Sequence, residues 1–180
     1  MTDSRAALIV VSGLPGAGKS TVASAYVRST GAAYLRIDTI EQTIVNQTSL
    51  VQPLGPVGYE IGYALADEQL RVGTKIVVAE CVNPLAITRD AWKRTAESAA
   101  ALLVDVEVVC SDLDEHRHRV ETRTSEIPGL TLPTWQQVSA RQYEPWHRDR
   151  LIVDTAHYGP DECAEVIAKA VEQAHAGPGT

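Results

Sequence analysis

The stretch "VVSGLPGAGKSTVAS", Val10 to Ser24, runs from an apolar, β-branched segment through a glycine-rich turn into residues that propagate a helix, and its reading decides the fold. Gly13, Gly18, Lys19 and Ser20 match G-x-x-x-x-G-K-S/T, in the order strand, turn, helix that the motif needs. Without Cβ atoms the glycines let backbone amides from about Gly16 to Thr21 wrap an anion at a helix N-terminus, which already favours negative charge. Pro15 and Ala17 complete the cradle. Lys19 supplies a mobile charge for the β and γ phosphates, and the Ser20 hydroxyl can ligate Mg²⁺. A nucleoside triphosphate site is therefore expected, with its use undecided, because switches, motors and small-molecule kinases share this cradle.

Outward from the loop, short β-branched runs alternate with longer helical patterns, as in a sheet built from βα units. "AALIVV" (Ala6 to Val11) is continuously apolar, as a strand buried on both faces should be. A helix from Ser20 to about Thr30 stops at Gly31, and "AYLRI" (Ala33 to Ile37) is a second strand with Asp38 at its carboxyl end. Thr39 is placed to cap the helix that "TIEQTIVNQ" opens. "LVQPLGPVG" (Leu50 to Gly58), with two prolines and two glycines in nine residues, must be loop. A helix from about Tyr59 to Val72, a strand "KIVVAE" (Lys75 to Glu80) and a helix from about Thr88 to Ala101 follow. "LLVDVEVVC" (Leu102 to Cys110) contains the fourth strand; the charged run after it reads as a helix from near Ser111, broken by "IPGLTLP" (Ile127 to Pro133). Thr134 caps a helix to about Tyr143, "RLIVD" is the fifth strand, and Pro160 to about Ala174 forms the last helix before a frayed tail, "HAGPGT".

The 180 residues, 44% hydrophobic, suit a single domain over 1–180 with a core of Val, Ile, Leu and Ala, since Phe is absent. A net charge of −7 argues against broad nucleic-acid binding, which needs an excess of Lys and Arg. No apolar run approaches the ~20 residues of a membrane span, and a soluble, cytoplasmic protein is expected. Cys81, Cys110 and Cys163 lie far apart and read as small buried hydrophobes of a reducing compartment. A switch GTPase would need a guanine-reading "NKxD"-type segment, which is absent; a motor ATPase would need an Asp-Glu pair ending its third strand, where this chain has "AEC" with a single acid.

In "GLPGAGKST", in "RIDTIE" after the second strand and in the Arg-rich helix after the fourth, the chain resembles the small P-loop kinases, the group of gluconate kinase, shikimate kinase, chloramphenicol phosphotransferase and the polynucleotide kinase domain. It is most similar among them to bacterial AAA-family ATP-binding kinases. The resemblance implies an α/β P-loop NTPase fold with a five-stranded parallel sheet of order 2-3-1-4-5, flanked by helices, and a helical, Arg-bearing lid at about residues 112–133. ATP as the nucleotide also comes from the resemblance, with Mg²⁺ as its metal, since the loop does not read the base.

On that resemblance Asp38 orients or deprotonates the acceptor hydroxyl, unless it is only a capping residue; Glu41, one turn on, is a second contact or an exposed helix acid. Glu80 stands where a Walker B acid would, able to hold a Mg²⁺ water or the acceptor, or else is a buried structural acid. Asn83, Arg89 and Trp92 fall in the acceptor region, although an exposed helix arginine is an equal reading of Arg89. Arg119 and Arg123, four apart, would share a helix face and reach one phosphate, with Glu115, Glu121 and Glu126 offering a solvated ion-paired helix instead. Nearby Arg117 carries no assigned role, and His116 and His118 would not face the same way. Asp154 and Thr155 touch adenine or cap a turn. Trp135, Tyr143 and Trp146 read as packing beneath the lid, with Arg141 a further phosphate contact. Tyr59, Glu60 and Tyr63 line the acceptor pocket.

The expected activity is therefore an ATP-dependent kinase acting on a hydroxyl of a small molecule such as a sugar, nucleoside or antibiotic. A 5′-hydroxyl polynucleotide kinase is one alternative and an ATP-binding regulatory protein without transfer chemistry is another.

Overall fold

The computed structural model describes residues 5–177, so residues 178–180 of the expected frayed tail lie outside the described residues. Strand β1 (Ala7–Ser12) is buried throughout and sits at the centre of the sheet. Its continuous apolar sequence follows from that position, because helices cover both faces. Ala7, Ile9 and Val11 pack on one side with α1 (Lys19–Thr30) and α7 (Pro160–Ala176); Leu8 and Val10 pack on the other with α3 (Val57–Arg71) and α4 (Ala86–Ser98).

Strand β3 (Ile76–Glu80) pairs with one edge of β1, and β4 (Leu102–Val109) with the other. Outside them lie β2 (Ala33–Arg36) and β5 (Leu151–Asp154), giving the all-parallel order 2-3-1-4-5 that the resemblance implies. The carboxyl ends of β1, β2 and β3 converge on one crevice, the place where open α/β sheets bind ligands.

Several boundaries differ from the sequence reading for local reasons. Helix α2 (Ile37–Gln47) starts directly from β2, so Asp38 lies in its first turn, where a carboxylate complements the helix dipole; Arg36, not Thr39, is the N-cap residue. Helix α4 ends at Ser98, ahead of Ala100, which takes a left-handed φ of 52°. The cap of α5 (Leu113–Thr122) is Asp112, whose carboxylate accepts from the amides of Asp114 and Glu115. Helix α6 (Trp135–Ser139) has the Thr134 cap, completed by a Gln137 capping box, yet stops short of Tyr143. Beyond it the chain is held as a strap: Arg148 pairs with the buried Asp105 of β4 at 2.5 Å and Arg150 with Glu107 at 2.5 Å. Helix α7 continues to Ala176, past the expected Ala174.

All three cysteines are buried thiols. Among the described residues no helix is long and apolar enough to cross a membrane.

Candidate active site

The loop between β1 and α1 turns on Gly13, Gly16 and Gly18, with φ of 143°, 83° and 99°, a region side-chain-bearing residues rarely enter. Close approach demands glycine as well: a Cβ on Gly16 would strike Val120 of α5, and one on Gly18 would meet the Thr155 methyl at 3.0 Å. The loop is thus boxed from outside. Buried His116 donates from Nε2 to the Pro15 carbonyl at 2.9 Å, its ring edge-on to Trp135. The Thr155 hydroxyl donates to the Ala17 carbonyl at 2.8 Å and accepts from Arg119 Nη1 at 2.8 Å.

Lys19 is buried and donates to the Leu14 carbonyl at 3.0 Å. Burial lowers its pKa, while the carboxylates of Glu80 and Asp38 oppose that shift. Glu80, 2% exposed at the end of β3, accepts from the Ser20 hydroxyl at 2.6 Å, from the Tyr34 phenol, and has Arg36 Nε 3.5 Å away. The sheet register explains the convergence: Arg36 lies opposite Glu80 and Tyr34 two residues earlier on the same face of β2. Burial, then the Glu80 charge, raises the Tyr34 phenol pKa.

Asp38 is half-buried, lines the same cleft and makes no hydrogen bond or ion pair among the described residues. Its field acts on both Lys19 and Arg123. Glu41, half-buried rather than exposed, lies over Gly58 and accepts from Gln52 Nε2 at 3.3 Å.

The two lid arginines do not share a helix face. Arg119 is on α5 and is engaged by Glu115 (2.7 Å) and Thr155, whereas Arg123 is the C-cap residue, with extended backbone (ψ 149°), because the helix ends at Thr122. Its Nε is buried without a hydrogen-bond partner, and desolvation lowers its pKa against the pull of Asp38. Beyond it the chain docks on α2: Asn46 Nδ2 donates to the Pro128 carbonyl at 3.0 Å, and Glu126 reaches Arg36 at 3.6 Å. His118 is exposed while His116 is buried, so the two face apart as expected.

Arg89, Asn83 and Trp92 do not line the cleft. Arg89 is 2% exposed, donates to the carbonyls of Asn83, Pro84 and Pro145, and lies over the rings of Tyr143 and Trp146. Those two aromatics therefore clasp Arg89 rather than support the lid; only Trp135 packs there, on His116. Asn83 is a buried joint at φ 53°, its side chain bonded to Ser12 and Thr88. Trp92 backs Tyr63 at 4.5 Å. Tyr59, Tyr63 and Thr155 line the cleft, and Arg141 stands at it, exposed. Asp154 does not: its carboxylate accepts from the amides of Ser111 and Ala156, and burial, which would raise its pKa, is outweighed by the Ser111 side chain together with those amides, so the pKa is lowered.

Ser20 and Glu80 present a hydroxyl and a carboxylate side by side next to the phosphate loop. That oxygen pair fits Mg²⁺, which takes one or two protein oxygens and fills its shell with water and phosphate. Among the described residues no group of three or more His, Cys, Asp or Glu could form an all-protein metal cage. Tyr34, Arg36 and His116 are contributors that the sequence reading left out; the i, i+2 spacing of Tyr34 and Arg36 on a strand beside the Glu80 strand was the available signal.

The cleft has a volume of about 1700 Å³. A parallel sheet of this order, with the phosphate loop leaving its central strand, is the fold of P-loop kinases. The chain belongs to the AAA domain family, whose model matches residues 8–145. No curated protein sequence matches it. Solved structures similar to it include a protein of Chloroflexus aurantiacus put forward as a kinase, with TM-score 0.73, 16% identity and coverage of 94% of this chain and 98% of that one. The Mycobacterium tuberculosis APS kinase, in complex with AMPPNP and APS, has TM-score 0.64 and 18% identity over 94% and 99% of the chains. A gluconokinase from Sinorhizobium meliloti has TM-score 0.62 and 24% identity over 94% and 95%. At these identities the likeness is one of fold.

Proposed function

We propose that the chain is an ATP-dependent, Mg²⁺-requiring kinase that moves the γ-phosphoryl group to a hydroxyl of a small-molecule acceptor. One observation carries the reading: unpartnered Asp38 shares a cleft with the phosphate loop, and its field couples to Lys19 on the donor side and Arg123 on the lid side.

In this reading the loop amides and Lys19 bind and orient the phosphates. Arg119, pinned at Thr155, serves the nucleotide end, and Arg123 offsets charge on the transferring group. Asp38 holds the acceptor hydroxyl in line. The acceptor oxygen bonds to the γ phosphorus as the bond to the β–γ bridging oxygen breaks, the hydroxyl proton passes to Asp38, and ADP leaves. Mg²⁺, when bound at Ser20 and Glu80, neutralises phosphate charge. Three buried free thiols suit a cytoplasmic setting.

The experiment is transfer from ATP radiolabelled at the γ-phosphate to a broad panel of hydroxyl compounds. Label should appear in an organic phosphate only with Mg²⁺ present; tight ATP binding with no transfer to any member of the panel contradicts the reading.

A further inference from the structure

The cleft that holds Asp38 carries apolar walls as well as the phosphate loop. Its walls include Tyr59 and Tyr63 of α3, Leu85 and Ile87 at the start of α4, and Leu130 and Leu132 of the segment after α5. Ile87 is 70% exposed, an uncovered aliphatic side chain on the wall of a cleft. Large apolar surface left open beside a polar site marks a place for an apolar ligand.

Some of the polar groups among these residues are bonded within the protein. The Tyr59 hydroxyl accepts from the Asn83 amide at 2.9 Å, and the Tyr63 hydroxyl donates to the Thr88 carbonyl at 3.2 Å. The Thr88 hydroxyl bonds with Asn83 Oδ1 at 2.8 Å, Gln42 donates to Asn46, and Gln52 donates to Glu41. The two tyrosines also give the cleft aromatic faces, and Trp92 fixes the Tyr63 ring from behind. Glu60, Arg94 and Arg141 are exposed, so any bond they offer competes with water. Asp38, an unpaired carboxylate of the same cleft, suits a hydroxyl, and Glu41 and the unpartnered Arg123 Nε line the cleft with it.

We propose that the acceptor is an alcohol carried on an apolar body, aromatic or polycyclic, whose hydroxyl reaches Asp38 while its rings lie against Tyr59, Tyr63, Leu85 and Ile87. This rests on the kinase reading above, and names the class of its acceptor.

The test uses matched pairs that differ only in an aromatic group: glucose and phenyl glucoside, glycerol and its phenyl ether. Each is titrated calorimetrically into the protein saturated with Mg·ADP, and each is offered separately with γ-labelled ATP. The phenyl member of each pair should bind about tenfold or more tighter. Ile87→Asp, a change at an exposed position, should erase that difference while ADP affinity stays the same. Equal binding within the pairs, binding of neither member, or an unchanged preference in Ile87→Asp overturns the inference. Tight binding of the phenyl members without transfer overturns the kinase reading and leaves the apolar site standing.

Discussion

The Ser20 hydroxyl donates to the Glu80 carboxylate at 2.6 Å, joining the phosphate loop to the end of β3. Tyr34 and Arg36 hold the other oxygen of that carboxylate from β2. In its proposed metal-holding role, a carboxylate fixed this way is aimed before any metal arrives. Removing such an orienting partner typically weakens metal binding about 10–100-fold. We expect Glu80→Gln to cut the Mg²⁺-dependent gain in ADP affinity by about tenfold or more and Tyr34→Phe by a smaller factor, with Mg²⁺-free ADP affinity unchanged. Calorimetric ADP titrations with and without Mg²⁺ measure both, and a Tyr34→Phe protein indistinguishable from wild type contradicts the role given to Tyr34.

Arg119 and Arg123 should separate kinetically. Arg119 is tied to Thr155 beside the phosphate loop, so Arg119→Ala should raise KM for ATP and leave kcat nearly intact. Arg123 has a buried, unpartnered Nε and feels Asp38, so Arg123→Ala should lower kcat by about 100-fold, the usual loss when one donor to transition-state charge is removed. Steady-state kinetics with varied ATP distinguishes the two; identical profiles would mean that the arginines act at one phosphate after all.

Glu41 gives a pH signature. Burial raises its pKa above the ordinary 4.5, with the Asp38 charge adding to the shift and the Gln52 hydrogen bond opposing it. The folded state therefore holds this proton more tightly than the unfolded chain. Its contribution to stability is complete below the ordinary value and is lost as pH climbs through the raised one. Glu41→Gln retains an oxygen for Gln52 and removes that loss. Urea midpoints of the two proteins should separate above this window in favour of the variant, and equal displacements at every pH would contradict the assignment.

Arg89 is a structural cation. It satisfies three carbonyls and fills the space between Tyr143 and Trp146, so Arg89→Ala should destabilise the fold by about 2–4 kcal/mol in urea unfolding, with ADP affinity preserved. A stable variant with an altered acceptor KM would return Arg89 to the acceptor pocket.

What was legible in the sequence was local. The phosphate loop announces itself in eight consecutive residues, Gly31 stops α1 with a φ of 71°, and the unbroken apolar run of β1 requires a strand covered on both faces. Features set by distant partners were not legible. Arg89 read equally as an acceptor contact or an exposed helix arginine because the Pro145 carbonyl that receives it is 56 positions away. Tyr34 meets Glu80 across 46 positions, and only the strand register brings them together. Arg123 leaves the helix because the chain after Thr122 turns to dock on α2 through Asn46, a contact 82 residues apart that helix periodicity cannot contain. Tyr59 and Tyr63 read only as lining of the acceptor pocket; the bonds of their hydroxyls to the Asn83 amide and the Thr88 carbonyl, 24 and 25 positions away, were not legible.

The central claim is that Asp38 and the phosphate loop are the two halves of a phosphotransferase. It is tested most directly by comparing wild type with Asp38→Asn for transfer of the labelled γ-phosphate, at matched ADP affinity. The account predicts an organic phosphate product from the wild type and a loss of about 100-fold or more in kcat for the variant, the range of acid–base and positioning contributions, with nucleotide binding unchanged. Transfer by Asp38→Asn at the wild-type rate would contradict it.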